Sequence, residues 1–574
     1  MAPRSGTGHA PGDREIPDRP GLSPVTLEVV RHAIYAIADE MSLIIMRSAR
    51  STLLKETGDL SSALTDARGR LIAQGRDIPI HLGVMAFTVK EFLRRVPRRE
   101  LRDGDVWYLN LPEVGGNHLP DVKAIRPVFT GGRLVAFAIN LAHWVDIGGA
   151  VPGSYVPWAD EAIQEGLRIA PIKVFDRKGP TRALDFIMSN VRGREEREGD
   201  CRAMYSAVEV GARRLGELFE RYGPPTILGC FDRYRAESEA AMRAAIRGIP
   251  DGVYAGEDWV DDDGHEDRPV PVRVTVTVRG DRATFDFTGT GAAVKGPVNA
   301  TPFVTCSAVY YSVKSLVAPD VPANDGCYRP ITAHIPPGTI LNPPVSAPVV
   351  GGNHETSQRV VDACYKALSR AIPERITAGG PTTAGILLFG SRQDGRWRIF
   401  YEVHGGGEGA SAARDGGHAV RVHMSNVMNT AVEVIETEHP FEILRHALRP
   451  GSGGAGAHRG GCGFTRAYRL LADATLTTML ERRVVPPWGA FGGAPGAPYR
   501  VTLERDGTAR DVKGKETLNL RAGDVVVIDT CGGGGYGDPA ARPPELEARD
   551  RLEGFVSTEP VGPTGAGRAR GGTE

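Results

Sequence analysis

Two His-x-x-Asp units, 25 positions apart in the chain, are of a kind that binds divalent cations. The first unit is His118 with Asp121, and the second is His143 with Asp146. Imidazole nitrogens and carboxylate oxygens are ligands that Zn²⁺, Mn²⁺ and Fe²⁺ accept in proteins. A single unit of this kind is more often a loop histidine that is hydrogen-bonded to a neighbouring carboxylate. The hypothesis of a metal site therefore depends on whether the two units meet.

A predicted β-hairpin connects the two units. The apolar runs AIRPVF and RLVAFAINLA are joined by Thr130, Gly131 and Gly132, a composition typical of hairpin turns. A hairpin places the residues before its first strand beside the residues after its second strand. We therefore expect both His-x-x-Asp units at the same end of one small sheet, around one shared metal site.

Further candidate ligands lie earlier in the chain. The segment SSALTDARGRLIAQG predicts two strands that are joined by a turn. Glu56 and Asp59 come just before the first of these strands. A carboxylate at a strand entrance most often caps a turn, although a metal ligand can also be presented there. His81 is another candidate, and the residue types alone do not choose among the three.

The elements that must position these side chains predict an α+β protein. With 574 residues the chain is long enough for several hydrophobic cores. We expect a multi-domain fold in which helices pack on mixed and antiparallel sheets. Hydrophobic periodicity changes from mostly helical to alternating at about residue 250. The predicted parts are a disordered tail (1–22), a metal-site α/β domain (23–250), a central α+β domain (251–380), a glycine-rich, β-rich C-terminal domain (381–545) and a loose tail (546–574).

Glycine is abundant and clustered in the C-terminal part. The 72 glycines include the runs GGGEG, GSGGAGAHRGG and GGGGYG, which indicate tight turns between short strands. The last run follows a predicted strand, but it lacks the Lys-Ser/Thr pair of a P-loop. It also does not match a G-x-G-x-x-G motif that opens a helix. Nucleotide binding is therefore not expected there.

Composition excludes several classes of function. A net charge of −1 without a basic block argues against nucleic-acid binding. The sequence has no apolar run long enough to cross a membrane, and its first residues do not have the pattern of a signal peptide. The seven cysteines are scattered and form no C-x-x-C pair, which is typical of reduced thiols. We expect a cytoplasmic protein.

The order of motifs from about residue 24 to about residue 540 resembles the hydantoinase B/oxoprolinase family. This family includes the B subunits of ATP-dependent N-methylhydantoinase, the C-terminal half of 5-oxoprolinase, and the larger subunits of acetone and acetophenone carboxylases. The motifs that carry the resemblance are DLSSALTDARGRLIAQGRDIPIHLG, GDVWYLNLPEVGGNHLPDV, AHWVDIGGAVPGSY, DFTGTG, RPITAHIPPGTILNPP, GNHETSQR, GGGEGA, SGGAGAHRGG and GGGGYGDP.

The resemblance implies a B-type subunit of an ATP-dependent cyclic-amide hydrolase. Its partner would be a hydantoinase A-type subunit that uses ATP to phosphorylate the substrate carbonyl, so ATP would bind to the partner in a hetero-oligomer. The implied cofactor is a divalent metal, with Zn, Mn and Fe unresolved. By position, the implied metal ligands are Asp59, His118, Asp121 and His143. The implied catalytic residues are His143 and Asp146, the latter as a ligand or beside the ligands.

The activated intermediate would need hydrogen-bond donors for its phosphate. Candidates are Arg359 and the start of the predicted helix in GNHETSQR, where Asn353 and Glu355 lie. An ordinary helix start is the alternative interpretation of that motif. The family pattern commonly has apolar residues where His354 and His404 stand, and proline where Cys531 stands. A changed substrate pocket and neutral drift both explain these departures.

The resemblance does not choose among the reactions of the family. One alternative is a subunit of an ATP-dependent ketone carboxylase of the acetone or acetophenone type. There the same ion would polarise an enolate oxygen and orient carbon dioxide. The other alternative is a scaffold subunit that only binds its partner. The presence of both His-x-x-Asp units argues against the scaffold.

Overall fold

The computed structural model describes residues 22–556 of the chain. The predicted disordered tail lies outside these residues apart from Leu22, and so does the predicted loose tail from residue 557 onward. Within residues 22–556, helices pack on four sheets, of which one contains a parallel pair of strands and three are antiparallel. The predicted α+β class with mixed and antiparallel sheets is therefore confirmed.

The N-terminal part is built on one seven-stranded antiparallel sheet with the order β2-β1-β5-β4-β3-β6-β7. The predicted hairpin is confirmed, since its strands pair in register from Asp121 opposite His143 to Thr130 opposite Arg133. The elements of this part are α1 (Pro24–Ser48), α2 (Thr52–Lys55), β1 (Leu60–Asp66), β2 (Leu71–Gln74), α3 (Pro79–Arg95), β3 (Val106–Leu109), β4 (Asp121–Thr130), β5 (Arg133–His143), β6 (Ile172–Asp176), β7 (Gly179–Pro180), α4 (Arg182–Met188), α5 (Arg194–Tyr222) and α6 (Pro224–Ile246), with short 3₁₀ turns at Arg98–Glu100 and Ala162–Glu165.

The central part has a four-stranded sheet with the order β11-β10-β9-β8, in which β10 and β11 run parallel. Strand β9 alternates buried side chains with half-buried or exposed ones, because one face of this sheet packs on helices. The elements are β8 (Gly252–Val260), β9 (Val270–Arg279), β10 (Arg282–Asp286), α7 (Pro302–Val317), α8 (Asp325–Tyr328), β11 (Ile331–His334) and α9 (Thr356–Leu368), followed by a 3₁₀ turn at Pro373–Arg375.

Two antiparallel sheets form the C-terminal part, with the orders β13-β12-β16-β19 and β14-β15-β20-β17-β18. The elements are β12 (Ile386–Gln393), β13 (Arg396–Val403), α10 (Val432–Glu438), β14 (Phe441–Leu448), β15 (Phe464–Leu470), β16 (Ala474–Met479), β17 (Arg500–Arg505), β18 (Thr508–Asp511), β19 (Lys515–Leu520), β20 (Val525–Asp529) and α11 (Pro544–Leu552), with a 3₁₀ turn at Pro539–Ala541.

Helix α11 lies where the sequence predicts a loose tail. Asp550 on this helix is buried and pairs with Arg542 at 2.7 Å and with Arg459 at 3.3 Å. Arg542 also pairs with Asp415 at 2.8 Å. The helix is therefore held by ion pairs to distant segments, which composition alone does not reveal.

The glycine runs are not mainly turns, which corrects the interpretation from sequence. They lie side by side as extended segments with hydrogen bonds between their backbones, such as Gly533 N–H to Gly461 O at 2.9 Å and Gly461 N–H to Glu408 O at 2.8 Å. A Cβ atom on Gly533 would lie 1.9 Å from Glu408 O, and a Cβ on Gly407 would lie 1.8 Å from Gly461 O. Glycine is needed here because backbones approach too closely for any side chain.

We expect Gly533→Ala to lower the free energy of unfolding by about 1–3 kcal/mol, the usual cost of overpacking. Gly216→Ala is the matched control, since a Cβ on this helical glycine meets nothing within 4 Å. That control is expected to be neutral or stabilising by up to about 1 kcal/mol. Chemical denaturation of both variants checks the prediction. Equal stability of the two variants would contradict close backbone packing as the reason for the glycine runs.

One hydrophobic core links all three parts of the chain. Phe92 of α3, Val276 of β9 and Val403 of β13 belong to the same buried cluster. The segments that meet at the site described below are therefore supported by common packing. Among the described residues, no helix combines the length and the hydrophobicity that crossing a membrane requires.

Candidate metal centre

The hairpin brings His118, Asp121 and His143 together at one end of the seven-stranded sheet. Asp121 is the first residue of β4 and pairs with His143, the last residue of β5, while His118 lies in the loop before β4. One Asp121 oxygen, Oδ1, lies 3.1 Å from His118 Nε2 and 3.2 Å from His143 Nδ1. A ligand atom from each of the three residues lies within 4.8 Å of the other two. All three side chains are buried.

Asp59 and His81 complete the surroundings of this cluster. Leu60 pairs with Ala142, so the residue before β1 lies beside the end of β5, and His143 N–H donates to the Asp59 carbonyl at 3.1 Å. The Asp59 side chain lines the same cavity as the cluster. His81, near the start of α3, places Nε2 3.6 Å from Asp121 Oδ2. Glu56 ends the short helix α2 and does not line the cavity.

A chain of hydrogen bonds fixes the His118 ring. Its Nδ1–H donates to the Val350 carbonyl at 2.9 Å, which leaves Nε2 directed at Asp121. The Glu165 carboxylate accepts from Val349 N–H at 3.1 Å and Val350 N–H at 2.8 Å, and so holds that carbonyl in place. Glu165 is fully buried. Hydrogen bonds behind a ligand histidine in this way orient the ring and fix its tautomer.

Asp121 and His118 each stabilise the charged form of the other. Burial alone would raise the pKa of Asp121, but the surrounding imidazoles, His118 first, hold it well below its usual range. Burial alone would lower the pKa of His118, but the Asp121 carboxylate outweighs that effect and raises it. An ionised carboxylate is thus maintained among imidazole rings in a site removed from water.

Asp146 is not part of the cluster, which corrects its expected place beside the ligands. Its Oδ1 accepts from Gly148 N–H and Arg192 N–H, both at 2.9 Å, and its Oδ2 accepts from Gly153 N–H at 2.8 Å. Arg192 adds an ion pair at 3.0 Å. The chain turns away after β5 ends, so this carboxylate organises the following loop and does not face His143.

The three residues expected to bind phosphate differ in where they lie relative to the metal cavity. Asn353 faces the cluster, with Nδ2 3.2 Å from His118 Nε2 and 3.5 Å from Asp121 Oδ2. Glu355 is fully buried behind the cavity wall and accepts from Ala384 N–H at 3.1 Å. Burial raises its pKa to about 7.

Arg359 lies outside the cavity, contrary to the expectation that it meets a phosphate. Its guanidinium donates to the Thr382 carbonyl and lies 3.6 Å from both Asp258 and Asp362. These partners are fully buried. Arg359 therefore belongs to an internal ionic network, since its position on α9 turns it away from the start of that helix.

His354 joins the cavity wall beside His118, with the two ring centroids 5.9 Å apart. Its Nδ1 lies 2.9 Å from Glu355 Oε1. Its Nε2 is buried and has no hydrogen-bond partner among residues 22–556. The departure of His354 from the family pattern was the only sequence signal for this arrangement.

The other two departures from the pattern lie away from the cluster. His404 is buried, with Nε2 2.8 Å from the Tyr468 hydroxyl and Nδ1–H donating to the Gly385 carbonyl at 2.7 Å. Burial raises the pKa of the Cys531 thiol to about 12, so this thiol is not a nucleophile at neutral pH.

The cavity has a volume of about 40 Å³, enough for an ion with about two water molecules, and it is lined by the cluster together with Tyr155, Tyr401 and His354. His143 Nε2 is buried within it and has no hydrogen-bond partner among the described residues. An imidazole nitrogen without a partner, a fixed lone pair on His118 and an ionised carboxylate form a donor set that fits Zn²⁺, Mn²⁺ or Fe²⁺.

The family model described as hydantoinase B/oxoprolinase matches residues 23–539. The caprolactamase subunit beta of Pseudomonas jessenii is 33% identical, with 94% of this chain and 95% of that protein covered. The 5-oxoprolinase 1 of Arabidopsis thaliana is 34% identical over 89% of this chain, which spans only 42% of that longer protein.

Two solved structures have the same fold. The crystal structure of ATP-dependent caprolactamase from Pseudomonas jessenii superposes with a TM-score of 0.88 at 32% identity and covers 93% of this chain and 95% of that one. A nucleotide-free acetone carboxylase superposes with a TM-score of 0.86 at 21% identity over 93% of this chain and 78% of that one, a likeness of fold alone. With a family model matching nearly its whole described length, this chain belongs to the hydantoinase B/oxoprolinase family.

Proposed function

We propose that the chain is the B-type subunit of an ATP-dependent enzyme that hydrolyses a cyclic amide, and that its own residues form a metal-assisted hydrolytic site. The observation that carries the proposal is the buried His118–Asp121–His143 cluster in a cavity. The likeness to a caprolactamase subunit over almost the full length of both chains supports the reaction class. The word subunit in that name supports a partner, which we propose to be a hydantoinase A-type subunit that holds the ATP.

In this proposal His118, Asp121 and His143 hold a divalent ion, with Asp59 as a fourth ligand. Such an ion supplies Lewis acidity toward a carbonyl oxygen or an attacking water. Asn353 directs its side-chain amide at the same point and binds a substrate oxygen. Tyr155 and Tyr401 stay protonated, because burial raises the pKa of both phenols well above the usual value, and they help to exclude bulk water.

The carboxylase alternative has the same fold, since acetone carboxylase superposes on this chain, and this likeness of fold does not choose between the two reactions. Purified chain with its partner subunit would receive ATP with hydantoin, 5-oxoproline or caprolactam in one arm. The other arm would contain ATP, acetone and labelled bicarbonate. Ring-opened product supports the hydrolase, and labelled organic acid supports the carboxylase. Neither product, with Zn²⁺, Mn²⁺ or Fe²⁺ supplied in turn, would contradict both and favour a scaffold.

A further inference from the structure

A second cavity adjoins the metal cavity, and Arg421 lies in the wall between them. The second cavity has a volume of about 340 Å³, which is in the range of small-molecule sites. Arg421 and Ser425 line both cavities. The larger cavity is further bounded by Tyr311, Tyr365 and His423. A small molecule in it would lie one side chain away from the cluster.

The Arg421 guanidinium has no anionic partner in the protein. One terminal nitrogen donates to the Ala384 carbonyl at 2.8 Å, and the other donates to Ser425 Oγ at 2.9 Å. No carboxylate of residues 22–556 lies within 4.0 Å of it. A guanidinium has five N–H donors in a planar fork, so donors remain for a bound group. A half-buried cation without a counter-charge is costly unless an anion joins it.

Two acidic residues in the walls around Arg421 are engaged elsewhere, and a third, Asp59, lines the metal cavity, where it is proposed as a ligand. Glu408, in the wall of the larger cavity, binds Arg414 through both oxygens at 2.9 Å and accepts from Gly417 N–H at 3.0 Å. Across the metal cavity, Glu355 is bonded to His354 and Ala384. Arg421 therefore does not form an ion pair with a carboxylate of the described residues.

The backbone that carries Arg421 is constrained. Its loop connects β13 to α10, and Ala419 and His423 on either side of Arg421 have positive φ angles of 51° and 56°. Val420 forms two backbone hydrogen bonds with Gly406, and Met424 O accepts from Ile80 N–H at 3.2 Å, beside His81. Strained residues of this kind persist where the surrounding structure fixes them, often around ligands. The loop thus holds the guanidinium at a fixed place over the metal cavity.

We propose that Arg421 is the binding residue of an oxyanion subsite, in which it receives a carboxylate or phosphate group of the substrate in its activated or unactivated form. The ring of that substrate occupies the larger cavity, next to the cluster. The role of this subsite in substrate binding rests on the proposed function. Anion binding at Arg421 does not depend on that function.

The test measures binding of inorganic phosphate and of acetate to the metal-loaded full chain by calorimetry. For Arg421→Met we expect binding of at least one anion to weaken about 10- to 100-fold, because hydrogen bonds to a charged group are lost. Arg421→Lys keeps the charge and is expected to bind more tightly than Arg421→Met. Arg370→Met, which removes the same charge from an exposed position, is expected to bind as the wild type does.

The outcomes separate the possible sources of the anion. Dependence on Arg421 for phosphate alone supports a phosphate group, and dependence for acetate alone supports a substrate carboxylate. Binding that is independent of Arg421 for both anions, or no binding at all, would overturn the subsite. So would loss of metal from Arg421→Met, since the residue would then support the cluster. If no cyclic amide is hydrolysed while Arg421-dependent binding persists, the proposed function fails and the subsite stands.

Discussion

His118→Ala and His143→Ala are expected to lose the bound metal ion and to reduce hydrolysis more than about 100-fold, which exceeds the usual effect of removing a residue behind a ligand. Each substitution removes one of the nitrogens that face Asp121 within 3.2 Å. Asp121 then remains buried with one imidazole partner fewer. The cluster would no longer provide three ligands to one ion.

Metal analysis of the purified variants, with thermal unfolding to check folding, tests this prediction. His334→Ala is the matched control, because this histidine is exposed on β11. Asp146→Asn adds a sharper comparison, since the structure assigns this residue to its loop and to Arg192. That variant is expected to keep the metal. Full metal occupancy in both histidine variants would refute the metal centre.

Arg482→Met is expected to lower the free energy of unfolding by about 3–5 kcal/mol, because two buried carboxylates lose their nearest cation and keep only more distant ones, such as Arg359 at 3.6 Å from each. The Arg482 guanidinium is fully buried and lies 2.7 Å from Asp258 and 2.5 Å from Asp362. Burial alone would raise the pKa of Asp258, but Arg482 and the neighbouring cations hold it below its usual value. The three residues join β8, α9 and the segment after β16.

The neighbouring residue supplies the control. Arg483 pairs with Asp511 at 2.7 Å, but this aspartate is 63% exposed. Arg483→Met is therefore expected to change stability by less than about 1 kcal/mol. Urea unfolding of the two variants measures the difference. If they were equally stable, the buried network would not be what holds the central and C-terminal parts together.

The local sequence pattern was sufficient to predict the hairpin, and with it the close approach of His118, Asp121 and His143. Two apolar runs around a Thr-Gly-Gly turn determine an antiparallel pair, and pairing puts the residue that starts one strand opposite the residue that ends the other. The strands Leu60–Asp66 and Leu71–Gln74 were predictable for the same reason. Asp59 needed the family resemblance, since nothing local distinguishes it from a turn carboxylate.

The same regularity does not extend beyond the end of a strand. The spacing suggested that Asp146 repeats the role of Asp121. The backbone turns after His143, however, and the Asp146 carboxylate accepts hydrogen bonds from Gly148, Gly153 and Arg192 instead. The glycine runs were misread in a similar way. A close approach of two backbones and a tight turn both require glycine, and composition does not separate them.

By itself, the sequence determined the strand pairing that gathers two imidazoles and a carboxylate, because periodicity and turn chemistry act over a few residues. Only the tertiary structure decided what surrounds them. Glu165, His354 and Arg421 come from segments far apart in the chain. Their contacts depend on how whole elements pack and on which buried charges find partners, and both follow from the complete fold.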